Sequence, residues 1–326
     1  GAIEAIVAER TANGPFKSFF EFCSRVDRKL VNKRVVEALV KAGAFDTLEG
    51  NRAALLASVS LAFEYADTLA ANADQGGLFD FGDSHAASTN EPDLVPTDPW
   101  SLKEQLGLEK TAIGFFLTGH LFDEAEPEVR RFCKQRIADL RDSRDPQLVA
   151  GIVSELRVIN GARGRVGLFK LDDKSDAIEA VANQDTLDAH KDVLKDDELV
   201  IIQGKVQNDR FSGGLRLNVQ QVFSLAQARC RFARFVRVHA PDQQLPVGEW
   251  LREFPGRRVA APQPDLPDTV QGLPVRVVIE RHTEGLSACG EVDLGDASRV
   301  FPSDEAMVRM RELMPQARPQ VVYGEG

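Results

Sequence analysis

Nucleotidyl transfer needs carboxylates placed to hold metal ions. Two adjacent acid pairs, Asp172-Asp173 and Asp196-Asp197, are the candidates considered for it. Neighbouring residues of a strand point to opposite faces, so such pairs make poor metal cups, and both read as loop or turn acids. Thiol chemistry and zinc need clustered ligands. Cys23, Cys133, Cys230 and Cys289 are isolated and far apart, which fits buried, reduced thiols in a cytosolic protein. His85, His120, His190, His239 and His282 lack metal-ligand spacing and read as surface or capping residues. No constellation supports catalysis, and neither a catalytic residue nor a metal site is assigned to this chain. The chemistry on offer is binding.

The best basic cluster is early. Residues 25–41 hold Arg25, Arg28, Lys29, Lys33, Arg34 and Lys41 against Asp27 and Glu37. Apolar residues from Leu30 to Val40 recur at helical spacing, with Asn32 as the cap. Ala42-Gly43-Ala44-Phe45-Asp46 breaks the pattern, and Asn51-Arg52 starts a second, Ala-rich helix expected to run to about Asn72. This is a helix-hairpin-helix arrangement. Backbone N–H groups at the hairpin and the next helix start can hold a phosphate without reading sequence. Lys33, Arg34, Lys41, Gly43 and Arg52 are the candidate duplex contacts. A plain helical hairpin with a solvated basic face is the other reading, and Ala44 stands where the general motif has a second glycine.

Residues 147–225 alternate as strands do. Five runs, near 148–159, 166–171, 177–181, 199–206 and 215–222, with a polar helix near 184–195 between the third and fourth, make the OB-fold pattern. Such barrels hold single strands by stacking and a basic groove. Phe169 and Phe211 are the aromatics available, so single-strand binding is expected to be weak. Arg163, Arg165, Lys170, Arg210 and Arg216 are the candidate backbone contacts. A barrel used for packing or protein contact is the alternative. Gly161, Gly164 and Gly167 are followed by a strand and not a helix, so they do not mark a nucleotide site.

Between these parts lies Gln75-Gly76-Gly77-Leu78-Phe79-Asp80-Phe81, ahead of a polar stretch from Gly82 to Pro99 that reads as a flexible tether. Exposed Leu-Phe pairs are unfavourable in linkers. The pattern resembles the peptide by which bacterial polymerases and repair enzymes hold the sliding clamp. That resemblance makes Gln75 a polar anchor and Leu78, Phe79 and Phe81 the groups that fill an apolar pocket on the ring. Burial of Leu78 and Phe79 on the chain's own surface is the alternative.

Trp100 leads a helix through Lys110, and Gly114-Phe115-Phe116-Leu117-Thr118-Gly119-His120 follows it. With the clamp peptide and the 42–46 hairpin, this strongly resembles the alpha subunit of bacterial DNA polymerase III, from residue 1 to about 323. Leu121 departs from the Pro of many members. The resemblance implies the C-terminal portion of a DNA-directed DNA polymerase whose Mg2+ and dNTPs bind elsewhere. It further implies a bacterial cytoplasmic location and, as partners, duplex and single-stranded DNA, the sliding clamp and a clamp-loader subunit held by the last domain. The error-prone paralogue, or an OB-fold module for RNA or tRNA, are the competing assignments.

The expected fold class is multi-domain α+β: a helical helix-hairpin-helix domain, an OB-fold β-barrel and a small βαββαβ-like α+β C-terminal domain. The expected division is 1–72 helical, 73–99 linker with the clamp peptide, 100–146 helical connector, 147–225 barrel and 226–326 C-terminal domain. A length of 326 residues with 43% hydrophobic content allows several cores. No run approaches the ~18 apolar residues of a membrane span. The net charge of −10 is unevenly spread: residues 71–150 carry 8 basic and 15 acidic side chains, whereas residues 1–70 carry 9 of each. The acidity thus lies away from the basic hairpin, which leaves room for a local DNA-binding field. The chain opens Gly1-Ala2-Ile3-Glu4 in a helical pattern without Met and is expected to be a piece of a longer protein.

Overall fold

The computed structural model describes residues 1–76, 90–161, 164–209, 213–240, 246–260, 268–283, 286–315, 317 and 319–324, and its contacts divide the chain into two compact units, Gly1–Leu121 and Phe122–Gly326. Leu78, Phe79, Phe81, Arg163, Arg210 and Phe211 lie outside the described residues.

The first unit is helical: α1 (Ala2–Asn13), α2 (Phe19–Arg25), α3 (Lys33–Lys41), α4 (Arg52–Ala57), α5 (Val59–Gly76) and α6 (Leu102–Ile113). The aromatic run that precedes Cys23 supplies its core. Phe19, Phe20 and Phe22 are buried, and Phe45 meets Phe19 and Phe22 edge-on at centroid distances of 5.1 and 4.8 Å. That geometry sets the positive ring edge against the negative face. The caps are local: Ser18, Asn32, Asn51 and Ser101 each accept a backbone N–H from the first turn of α2, α3, α4 and α6.

Two features differ from the sequence reading. The single helix expected after Asn51 is broken at Ser58 into α4 and α5, and α5 continues to Gly76, so Gln75 belongs to a helical stretch. Ser58 is fully buried; its hydroxyl donates to the Ala54 carbonyl at 2.7 Å and accepts the Val95 N–H at 2.8 Å. A side chain that competes for helix carbonyls in this way favours a break. The second difference is the tether. Residues 90–99 are held on the first unit: Ser18 donates to Glu91 at 2.7 Å, Asn51 donates to the Thr97 carbonyl at 2.8 Å, and Leu94 packs on the aromatic core. Polar composition suggested a free linker, but its few apolar and carbonyl groups find partners.

The second unit opens with the short α7 (Glu126–Val129) and continues into β1 (Gln147–Gly161), β2 (Gly164–Asp172), β3 (Ala177–Ala182), α8 (Gln184–His190), β4 (Leu199–Asn208) and β5 (Leu215–Phe223). These strands close into a barrel in the order β1-β2-β3-β5-β4, with β3 and β5 parallel and the other neighbours antiparallel. This is the OB-fold expected from the strand spacing. Val149, Val153, Leu171, Ile202 and Leu217 fill it. Gly151 and Gly204 sit where an added Cβ would lie 2.7 and 2.5 Å from neighbouring carbonyl oxygens, so the tight coil of β1 and β4 needs glycine there.

Helix α9 (Leu225–Phe232), absent from the sequence reading, leads into β6 (Ala233–Ala240) and α10 (Val247–Glu253). After β7 (Arg257–Val259) and β8 (Thr269–Gln271) come β9 (Val275–Thr283), β10 (Leu286–Asp293), α11 (Asp304–Leu313) and β11 (Pro319–Tyr323). The main sheet runs β10-β9-β6-β11, and Trp250, Met307 and Met310 cover one face with Val236, Val238 and Val275 beneath them. Strands β7 and β8 pair antiparallel as a separate two-stranded sheet.

Candidate nucleic-acid interface

The first candidate surface is the helical hairpin. Val36 and Val40 face the core, which turns Lys33 and Arg34 outward on α3. Lys41 is half-buried at its end. Lys33 lies 5.8 Å over the Phe63 ring and donates to Ser60 at 3.4 Å. Other members of the basic run are engaged within the unit: Arg25 pairs with Glu9 and Glu21, and Arg28 with Asp67. The cationic face is therefore narrower than the sequence count of six.

Arg52 and Gly43 are corrections to the expected duplex contacts. Arg52 is 3% exposed, and its guanidinium donates to Asp46 at 2.6 and 2.7 Å, to the Lys41 carbonyl at 3.2 Å and to Glu109 at 2.9 Å. Glu109 is wholly buried; its second oxygen accepts the Leu117 and Thr118 N–H groups at 2.7 and 3.0 Å. An arginine so enclosed cannot reach a phosphate. It ties the hairpin to α6, and Leu117 and Thr118, in the segment after that helix, complete the shell of Glu109. Gly43, at φ +79°, lets the turn pass over this guanidinium; an added Cβ would come 2.1 Å from Arg52 Nη2. The turn also uses its own donors, with Ala42, Gly43 and Ala44 N–H bonded to the Ala38, Val40 and Leu39 carbonyls. Gly43→Ala is expected to cost about 1–2 kcal/mol from the left-handed backbone alone, with the displaced guanidinium adding to it. A chemical-denaturation midpoint equal to that of the wild type would contradict this.

Burial by itself would raise the Glu109 carboxyl, but the Leu117 N–H, Arg52 and Thr118 together hold it below the ordinary value of 4.5. A depressed carboxylate stabilises the fold above its unfolded-state pKa and loses that contribution as pH falls through the folded-state one. The first unit is thus expected to keep its full stability at neutral pH and to lose it progressively below 4.5. Thermal melts across that range check this, and in Glu109→Gln the pH dependence should flatten.

The second candidate surface is the outer face of the barrel. Register places Ser154, Lys170, Glu179, Arg216 and Gln207 in one row across β1, β2, β3, β5 and β4. The next row holds Arg157, Leu168, Val181, Asn218 and Lys205. Arg157, Leu168, Lys170, Glu179 and Arg216 line one shallow cleft. Lys170 and Arg216, both named from sequence, are thus brought together, and Arg165 stands apart at the β2 start, paired with Asp188 at 2.7 Å. Phe169 is 3% exposed inside the barrel and offers no base a stacking surface.

Sequence reasoning missed Arg157. Strict alternation from the core residues Val149 and Val153 would turn residue 157 inward. A β-bulge between Ser154 and Arg157, with Glu155 at φ +57°, resets the alternation and turns Glu155 and Arg157 out. No residue type in this stretch announces a bulge.

The acids behave as turn and bridge residues. Asp173 is 1% exposed and accepts from Arg130 at 2.7 Å and the Ile137 N–H at 3.0 Å. Asp196 accepts the Leu156 N–H at 2.9 Å, and Asp197 sits at φ +63°. Among the described residues no group of three His, Cys, Asp or Glu side chains is placed to hold a metal ion. Cys23 and Cys133 are buried, and burial pushes their thiols up to about 12 and about 11; Cys289 is exposed, contrary to expectation. Elsewhere in this unit Arg229, 6% exposed, is held by Glu128 at 2.7 and 2.8 Å and by Asp304 at 2.7 Å, and Tyr323 donates to Glu128 at 2.6 Å. This joins α7, α9, α11 and β11 within the second unit.

Comparison with known proteins agrees with this architecture. The family described as "Helix-hairpin-helix motif" matches residues 1–55, and the one described as "OB-fold nucleic acid binding domain" matches residues 148–225. DNA polymerase III subunit alpha of Pseudomonas aeruginosa is 36% identical over 96% of this chain, that of Neisseria meningitidis serogroup A 40% over 96%, and that of Escherichia coli K12 31% over 99%. Among solved structures, the second OB-fold domain of replication protein A from Methanococcus maripaludis is similar at 14% identity and a TM-score of 0.23, over 28% of this chain and 93% of its own. The chain spans about a quarter of the length of the curated relatives it matches, 26 to 27% of each. Sequence similarity over nearly its whole length, with the helical hairpin and the barrel each matched in place, makes this chain a member of the DNA polymerase III alpha-subunit family, of which it represents a part.

Proposed function

We propose that this chain is the non-catalytic C-terminal portion of a replicative DNA polymerase III alpha subunit, and that it keeps the enzyme on its track. The similarity to alpha subunits over 96% of the chain is the observation that carries this. The helical hairpin holds duplex DNA through Lys33, Arg34 and Lys41. The barrel holds single-stranded template through Arg157, Lys170 and Arg216, with Arg163, Arg165 and Arg210 as further backbone contacts. Gln75, Leu78, Phe79 and Phe81 bind the sliding clamp, and residues 226–326 bind a clamp-loader subunit. Nucleotidyl transfer, with its Mg2+ and dNTPs, belongs to the remaining length of the parent protein, which works in the bacterial cytoplasm. Several weak holds on one assembly raise the local concentration of the enzyme at the primer end without any single contact being tight.

The neutralised barrel cations and the buried Phe169 support a weak single-strand grip that does not read sequence. The test is anisotropy with labelled primed DNA, single-stranded DNA and RNA. Removing Lys33, Arg34 and Lys41 together should weaken duplex binding equally across sequences and reduce the salt slope by about 0.9 per lost phosphate contact. Tighter binding to RNA than to primed DNA would contradict the proposal.

A further inference from the structure

The cations of the barrel cleft are not presented bare. Lys170 Nζ lies 2.7 Å from Glu155, and Arg157 lies 3.6 Å from the same carboxylate. Arg216 Nη2 serves both Asp209 at 2.8 Å and Glu179 at 3.5 Å, while its Nε is buried without a hydrogen-bond partner in this structure. Glu155 reaches Lys170 because the bulge turns it out, and it holds a left-handed backbone (φ +57°) that a non-glycine residue adopts only at an energetic cost. Strain of this kind, kept in a residue that meets the cleft, motivates a functional reading of the position. Glu179 stands between Lys170 and Arg216 in the cross-strand row. The two carboxylates thus occupy the places next to these cations where the phosphates of a strand crossing β2, β3 and β5 would sit.

We propose that Glu155 and Glu179 form a built-in mask that competes with backbone phosphates for Lys170, Arg157 and Arg216. This rests on the reading that the barrel binds single-stranded DNA. A strand entering the cleft must displace a carboxylate at each cation, so the grip is weak and rapidly exchanged. Each displaced carboxylate takes up a cation as the strand releases one, so wild-type binding depends only shallowly on salt. Exposed pairs of this type are weak, which sets the scale of the effect at about a few-fold per carboxylate.

The experiment measures oligo-dT binding to the 326-residue chain by fluorescence anisotropy between about 50 and 200 mM salt. Glu155→Gln and Glu179→Gln are each expected to tighten binding about threefold to fivefold, and the double variant about tenfold. The salt slope should steepen by about 0.7 per cation freed. Glu155→Gly, which removes the carboxylate and relaxes the backbone, should tighten binding equally without lowering the melting temperature. Asp192→Asn, which neutralises an exposed carboxylate outside the row, should change neither affinity nor slope. If Asp192→Asn tightens binding as much as the others, the effect is net charge and the mask is wrong. If the glutamate variants bind unchanged or more weakly while Lys170→Ala and Arg216→Ala lose affinity, the mask is wrong and the cleft still binds DNA. If the chain does not bind oligo-dT, or Lys170→Ala and Arg216→Ala leave binding unaltered, the DNA reading of the barrel falls and takes the mask with it.

Discussion

Arg52→Ala is expected to destabilise the first unit by about 3–5 kcal/mol, the scale found when one partner of a buried ion pair is removed. Arg52 is 3% exposed and Glu109 is wholly buried, so the variant leaves a carboxylate inside the fold without its counter-ion. It also frees Asp46 and the Lys41 carbonyl, the groups that hold the hairpin turn. Lysine should not rescue it, because a single ammonium cannot reproduce the forked contacts to Asp46 together with the bond to Glu109. The first unit typically has no more than about 5–15 kcal/mol in hand, so the variant should melt at a much lower temperature. Scanning calorimetry of the chain checks this, because a change confined to the first unit should leave the transition of the second unit in place. Melting unchanged from the wild type would show that the Arg52 cluster does not hold the hairpin.

This residue also shows what the sequence could and could not tell. The basic run and the break at Gly43 identify a helical hairpin correctly, because helical spacing, the Asn caps and a turn glycine are local signals. Which basic residues face solvent is not local. Arg52 is answered by Glu109, 57 positions away, and nothing near residue 52 announces it. The barrel is similar. Its strands and the helix between β3 and β4 follow from alternation and turn residues, and Lys170 and Arg216 lie together as five strands in OB order require. Arg157 escaped because the bulge inverts the alternation, and the mask of Glu155 and Glu179 depends on cross-strand register, which one sequence does not print. Residues 90–99 failed for a related reason: composition describes a segment's average, whereas Ser58, Asn51 and Ser18 each hold it by a single hydrogen bond. Helix α9 was missed although Ser224 and Gln227 form a capping box at its start.

The second large effect concerns the peptide between α5 and the held segment at 90–99. Leu78 and Phe79 are proposed to fill a pocket on the sliding clamp, where buried apolar anchors dominate binding energy and truncating one typically costs about 2 kcal/mol or more. Leu78→Ala with Phe79→Ala should therefore weaken clamp binding by at least about thirtyfold and lower processivity of the parent enzyme in step. DNA binding at α3 and in the barrel cleft should stay as it was, since neither surface includes the peptide. The deciding measurement is the affinity of the 326-residue chain for the bacterial sliding clamp, by surface plasmon resonance, with and without the double substitution. Saturable binding by the wild type that is lost in the variant is the predicted result; no binding by the wild type, or equal binding by both, would contradict the proposal that this chain tethers its polymerase to the clamp.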